Sequence, residues 1–198
     1  MRLLVATTNP GKLREIRELL RDAPVELVAL NDLPPIAEPE ETGSTFEENA
    51  RLKARYYAAH AHLPTVAEDS GLVVDALDGE PGVQSARFLG ADATYADRFA
   101  EIYRRLAARP DAPRTARFVC ALTMIREDVV VFETTMTVEG EIAVAPSGTG
   151  GFGYDPIFFY PPYGMTLGEV SQDAKLRIAH RGKAFRALAE WLRSERGR

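Results

Sequence analysis

The chain is poor in cysteine: Cys120 is the only one in 198 residues. No internal disulfide can form, and the expectation is a reducing compartment, the cytoplasm. No apolar run is long enough to cross a membrane, and the opening apolar stretch, 3–6, is too short for a signal-peptide core. No membrane partner is expected. Positive charge is not in excess either: Lys and Arg number 24 against 29 Asp and Glu, a formal net charge of -5. That excludes a general affinity for duplex nucleic acid, which requires a basic face. It leaves open a small phosphate ligand, for which a few local cations suffice. There is no internal repeat, low-complexity tract or dividing linker, so residues 1–198 read as a single domain, or one domain with two lobes.

Apolar residues make up 45% and charged residues 27%, the balance of a globular protein with a substantial core. Residues 2–7 read as a buried strand. It runs into Asn9-Pro10-Gly11, an N-cap with proline at the first helical position, and a helix with Leu13, Ile16, Leu19 and Leu20 on one face. A strand at 25–30 completes a β-α-β unit with a parallel pair. A polar, proline-rich loop over 31–43 ends in Glu40-Glu41-Thr42-Gly43. The capping box Thr45-x-x-Glu48 then opens a helix that Pro64 ends. Residues 65–77 are extended, with Glu68-Asp69-Ser70-Gly71 expected to interrupt them. A helix spans 95–107. The stretch 117–125 is apolar on both faces and predicts a central strand, paired with 129–138 as a hairpin. A separate strand near 141–144 leads into a glycine-rich segment, and a last helix covers 183–193.

Several segments carry candidate chemistry. Thr7-Thr8-Asn9-Pro10-Gly11-Lys12 lies between a strand and a helix, where backbone N–H groups and the macrodipole attract anions. Lys12 adds a full charge. It is not a Walker A loop, because Leu13 rather than Ser or Thr follows the lysine; a capped helix with a solvated lysine is the alternative. Glu40-Glu41 and Glu68-Asp69 are two acidic pairs beside element ends. Magnesium takes hard oxygen ligands, usually one or two carboxylates with water and substrate phosphate, and a carboxylate near an activated water can accept its proton. An acidic surface loop also accounts for Glu40 and Glu41. Asp69 is different, since it lies between apolar Val66-Ala67 and Leu72-Val73-Val74, and a buried acid needs a partner.

Asn49 and Lys53 sit four apart on one helix face, placed to orient a carboxylate cluster, to touch phosphate, or simply to flank the helix. Lys175 with His180-Arg181 offers cations for phosphate or for a base edge; a solvated basic turn is the alternative. The segment from Gly148 to Pro156 has four glycines in six positions, interleaved with Phe152 and Tyr154. Glycine permits close backbone approach and positive φ, the two rings offer faces to a planar base, and Asp155 can accept a hydrogen bond. A tight turn between strands fits the segment equally well. His60 and His62 fall at an exposed helix end, and Cys120 reads as core packing. Neither a Ser-His-Asp order nor a zinc spacing is present. Taken together, two anion sites, an acidic metal site and a stacking loop describe a nucleoside triphosphate with its magnesium.

On these residues the chain resembles the inosine/xanthosine triphosphate pyrophosphatases. The resemblance is carried by Thr7-Thr8-Asn9-x-Gly11-Lys12, Glu40-x-Thr42-Gly43-x-Thr45-Phe46-x-Glu48-Asn49-Ala50 and Asp69-Ser70-Gly71-Leu72. It continues through Pro81-Gly82-Val83-x-Ser85-Ala86-Arg87 and Gly148–Pro156 to Lys175 and His180-Arg181-Gly182. The motifs are in family order and span nearly the whole chain. The resemblance implies an α/β fold: an elongated mixed β-sheet flanked by helices, in two lobes with the active site in the cleft between them. It implies hydrolysis of ITP, dITP and XTP to the monophosphate and pyrophosphate, with Mg2+ as cofactor, and a homodimer, for which the 99–106 helix is a candidate interface. Asp69 then matches a general base and metal ligand, and Glu40 the second metal acid. Thr7, Thr8, Asn9, Pro10, Gly11 and Lys12 match the phosphate-facing segment and Ser70 a substrate contact. Phe152, Gly153, Tyr154, Asp155, Lys175, His180 and Arg181 match nucleotide-binding positions. Two departures stand out: Ala179 where many members have serine, and Glu68 where many have aspartate. A nucleotide-binding module without turnover and a γ-phosphatase releasing orthophosphate are the rival readings. No Nudix-like glutamate helix is present.

Overall fold

The computed structural model describes residues 1–196. Its strands form one seven-stranded mixed sheet in the order β2-β1-β3-β4-β5-β6-β7, and the chain divides into two compact units. Unit 1 comprises 1–69, 120–136 and the segment from 180 onward; unit 2 comprises 70–119 and 137–179. Three strands run from one unit into the other: β3 (Thr65–Val74), β4 (Thr115–Arg126) and β5 (Val129–Ile142).

Unit 1 is layered helix, sheet, helix, and the alternation in its strands explains why. β1 (Arg2–Val5) pairs in parallel with β2 (Glu26–Ala29) on one side and β3 on the other. Leu3 and Val5 point into a core with Ile16 and Leu20 of the first helix and Phe185, Leu188 and Leu192 of the last. Leu4 and Ala6 point into a second core with Ala54 and Tyr57. A strand buried on both faces needs helices on both sides. These are α1 (Pro10–Leu19) and α5 (His180–Arg196) on one face and α2 (Phe46–Ala61) on the other. Thr45 caps α2 by the expected box, its hydroxyl accepting the Glu48 N–H while the Glu48 side chain takes the Thr45 N–H.

Unit 2 has a single core. Leu72 and Val74 of β3, Ile102 and Leu106 of α3 (Tyr95–Ala107), Phe118, Ile142 and Phe158 meet there. Phe99 and Tyr103 pack against the same core, which accounts for the apolar face of α3 within this unit. β6 (Phe158–Tyr160) pairs antiparallel with β5 and β7 (Met165–Thr166) antiparallel with β6, and α4 (Gln172–Ile178) follows.

Several local readings are corrected. β3 is not interrupted at 68–71; it is one ten-residue strand, because its acids have buried partners and need no turn to reach water. The expected strand near 141–144 is the end of β5, which runs on through Gly140 to Ile142. The last helix begins at His180, three residues early. β6, β7 and α4 were not expected as elements. Each is seven residues or fewer, too short for periodicity to show. The hairpin at 126–128 is as expected: Glu127 and Asp128 both have positive φ, the two-residue connection that matches strand twist.

Candidate active site

Unit 1 holds two charged groups, one on each face of the sheet, because Glu68 and Asp69 are successive residues of β3. α1 follows β1 directly and is capped by Asn9, whose Oδ1 accepts the Gly11 N–H at 2.9 Å and the Lys12 N–H at 3.1 Å. The Asn9 N–H in turn reaches Thr7 Oγ1 at 3.2 Å. The first-turn donors expected to hold an anion are therefore already engaged by the segment's own side chains. What the segment offers outward is the Lys12 ammonium, the helix dipole and the exposed Thr8.

Lys12 Nζ lies 3.3 Å from Glu68. Glu68 also pairs with Arg181 at 2.9 Å and accepts from the Cys120 thiol at 2.9 Å, and Arg181 reaches Glu15 at 2.8 Å. Burial alone would raise the Glu68 carboxyl, but Arg181 and Lys12 outweigh it and hold it well below the usual carboxylate range. Burial and Glu68 push the Cys120 thiol up, so it stays protonated and donates. Cys120 thus packs in the core as expected and has a polar contact besides. Glu15 was not singled out from the sequence. Its signal is an acid beside Ile16 on the buried side of α1, where an unpaired charge would be expensive.

The second group centres on Asp69, 6% exposed. Lys53 Nζ bonds Asp69 Oδ1 at 2.9 Å and Glu41 Oε1 at 2.6 Å. Burial would lower the Lys53 ammonium, yet Asp69 and Glu41 more than offset it and raise it. Asn49 Nδ2 reaches Asp69 Oδ2 at 3.3 Å and the Gly43 carbonyl at 3.4 Å, while Asn49 Oδ1 accepts the Gly43 N–H at 2.8 Å. Gly43 must be glycine here, since a Cβ would stand 2.6 Å from Asn49 Oδ1. Asn49 and Lys53 are thus joined to the acids, one of the three arrangements open to them from spacing. Of the neighbouring acids, Glu41 is the one on Lys53; Glu40 is exposed on the same loop. The resemblance names Glu40 as the second metal acid, whereas the acid on Lys53 is its neighbour Glu41. Ser70 is the next residue of β3.

Unit 2 holds the glycine-rich segment, and there the glycines serve the chain itself. A Cβ on Gly148 would stand 2.2 Å from the Gly168 carbonyl carbon, one on Gly150 2.9 Å from Gly168 O, and one on Gly151 2.0 Å from Asp155 Oδ2. The close approach is to neighbouring backbone and to one carboxylate. Tyr154 is corrected as a stacking ring: it is 3% exposed, and its hydroxyl donates to the Ser85 carbonyl at 2.8 Å. Its ring meets Tyr95 edge-on at 5.3 Å. Phe152 remains partly exposed. Asp155, buried, accepts the Phe152 N–H at 2.8 Å and Lys175 Nζ at 2.6 Å, and Lys175 Nζ stands 4.6 Å from the centre of the Phe152 ring. Gly153, at φ 65°, lies beside Tyr95. Lys175 therefore joins Phe152 and Asp155, whereas His180 and Arg181, both buried, open α5 in unit 1 and Arg181 joins Lys12 through Glu68.

Comparison with known proteins places the chain among relatives of similar length. A model of the Ham1 family matches residues 3–191. A dITP/XTP pyrophosphatase of Shigella flexneri is 46% identical over 195 residues, 98% of each chain. One of Halalkalibacterium halodurans is 43% identical, covering 96% of this chain and 97% of its own. The structure of a HAM1 protein from Coxiella burnetii superposes with a TM-score of 0.88 at 39% identity, over 98% of this chain and 99% of that one.

Proposed function

The chain belongs to the Ham1 family, and on that premise we propose that it hydrolyses the deaminated purine nucleoside triphosphates ITP, dITP and XTP to monophosphate and pyrophosphate, removing them from the nucleotide pool. The observation that carries this reading is the pair of carboxylates, Asp69 and Glu41, joined on one buried lysine at 2.9 and 2.6 Å. A module that only binds nucleotide has no need of such an acid pair.

Water attacks the α-phosphorus, the α–β phosphoanhydride bond breaks, and pyrophosphate leaves. Asp69 takes the proton of the attacking water, held for it by Asn49 and Lys53. Lys12 and the dipole of α1 hold the phosphate tail, with Thr7 and Thr8 beside them. A triphosphate that engages Lys12 competes with Glu68 for it. Phe152 stacks on the purine. A donor beside that ring, with Lys175 placed for it, meets the 6-keto oxygen and is mismatched by the 6-amino group of adenine. A site built on such a bond discriminates by about 10⁴-fold.

Magnesium suits the donor set. Asp69 with the Glu40–Glu41 pair would hold it by hard oxygens, one or two of which suffice when water and phosphate complete the shell. Bound there, the metal supplies charge neutralisation for the phosphates. The cytoplasm and a homodimer complete the reading. The lone buried cysteine supports the first. Among the described residues no helix is long and apolar enough to cross a membrane. Sedimentation tests the second.

The test is turnover of ITP with magnesium, with ATP and GTP as controls and the products identified. Pyrophosphate and IMP are expected. Orthophosphate would make the protein a γ-phosphatase, absence of turnover a binding module, and equal rates on ATP and ITP would end the account of selectivity.

A further inference from the structure

The glycine-rich segment is held by a second stretch of chain that none of the recognised motifs contains. Thr166, the last residue of β7, is 2% exposed. Its hydroxyl donates to the Ser147 carbonyl at 2.8 Å, nineteen residues away in sequence. Its own N–H is fixed by Glu169 Oε2 at 2.8 Å, and Glu169 also takes the Ser147 side chain. Just beyond, the Gly150 N–H donates to Gly168 O at 2.8 Å and the Gly168 N–H to Asp155 O at 3.0 Å. The turn 166–169 therefore grips the loop at its start, its middle and its end.

What it grips is the part that presents the ring. Asp155, fixed through its carbonyl, holds the Phe152 N–H and Lys175 with its carboxylate. We propose that Thr166 is a positioning residue for substrate: through the Ser147 carbonyl it sets the loop that carries Phe152, with Glu169 orienting Thr166. This rests on the reading of that loop as the base side of the site. Thr166 touches no acid of the Asp69 cluster, so its effect belongs to binding rather than to the bond-breaking step.

A part-buried carbonyl that loses its donor costs a modest but measurable amount. Thr166→Val keeps the branched shape and removes the hydroxyl. It is expected to raise KM for ITP about five- to tenfold with kcat within about twofold, and Thr166→Ser should restore KM. Gly164→Ala is the control for general loosening. Gly164 has φ 63° and nothing within 4 Å of a Cβ, so its variant strains the same hairpin without touching the loop; it should lower Tm and leave KM alone. Hydrogen exchange at the Gly150 and Phe152 amides reads the loop independently of activity, and should quicken in Thr166→Val but not in Gly164→Ala. Were Thr166→Val not to fold, Glu169→Gln carries the same test, with about a two- to threefold rise in KM. An unchanged KM with unchanged exchange, equal shifts in the control, or no rescue by serine overturns the proposal. Wild-type protein that releases no pyrophosphate from ITP overturns the functional reading instead, and the exchange data still decide the role of Thr166.

Discussion

The two units place their candidate site residues by different physics. In unit 1 the residues are charges on the ends of regular elements, and each is met by an opposite charge. Lys12 faces Glu68, Arg181 faces Glu68 and Glu15, and Lys53 faces Glu41 and Asp69. In unit 2 the site is mostly backbone, with glycines packed on neighbouring chain and one buried ion pair under one ring. A phosphate tail is recognised by charge and a base by shape, so the first should fail when a charge is removed and the second when an atom is added or a loop is released.

The sharpest break of that comparison is Asp69→Asn, which preserves volume and removes one charge. Turnover of ITP is expected to fall by about 10²–10⁴-fold, the range for loss of a general base, with KM little changed and circular dichroism confirming the fold. Near-normal turnover would remove Asp69 from the chemistry. The next effect is on stability and belongs to unit 2. The side chains of Lys175 and Asp155 are each 3% exposed, so Asp155→Ala strips a buried cation of this carboxylate and should cost about 3–5 kcal/mol in urea denaturation. Glu41→Ala removes a partner of Lys53 where the side chains are 12% and 16% exposed, and Asp69 remains. Its cost should be clearly smaller; equal costs would mean that the units do not differ in this respect.

The same contrast decides what was legible in the sequence. Unit 1 could be read because its signals are local: Asn9-Pro10 caps a helix, Thr45 and Glu48 cap another, and an acid amid apolar residues at Asp69 announces a partner. That partner was nearly named, since Lys53 and Asn49 were picked out by their spacing alone. What could not be read was pairing over long separations, such as Arg181 with Glu15, 166 positions apart. In unit 2 the glycines were visible but their purpose was not. Gly148 and Gly150 answer to Gly168, and Gly151 to Asp155, contacts that no local pattern encodes. Tyr154 resembled Phe152 in sequence, and only burial separates a core ring from a presented one.

Acid should test unit 1 through a group outside the proposed chemistry. Glu68 has a lower pKa folded than unfolded, because Arg181 and Lys12 overcome its burial. Near pH 4 the unfolded chain therefore binds more protons at this site, and stability falls as pH falls. The contribution of Glu68 is complete above its unfolded pKa of about 4.3 and is lost as pH drops toward the folded value. Trp191, the single tryptophan, packs against the α1–α5 core with Phe132, so its fluorescence reports unit 1. The Tm read this way should decline as pH falls from about 5 toward 3, and Glu68→Gln should flatten the decline even if it lowers Tm throughout. A slope that the substitution leaves unchanged would place the acid sensitivity elsewhere.

The smallest expected effect concerns the one residue that joins the two kinds of interaction. Asn49 is 1% exposed and uses its amide as a unit-2 loop uses backbone, gripping both polar groups of Gly43, while also touching the Asp69 carboxylate. Asn49→Ala loses two neutral bonds to Gly43, each worth about 1 kcal/mol net, together with the longer one to the Asp69 carboxylate, and leaves Lys53 on Asp69. Stability should fall by about 1–2 kcal/mol. If Asn49 orients Asp69, kcat for ITP should fall several-fold while KM moves little. If it serves only to fold the 40–43 loop against α2, stability should fall alone. Asn49→Asp separates the two, because it keeps the acceptor for the Gly43 N–H and sets a second negative charge against Asp69. A larger loss of kcat than in the alanine variant would show that this amide acts on the acid by charge as well as on the loop by shape.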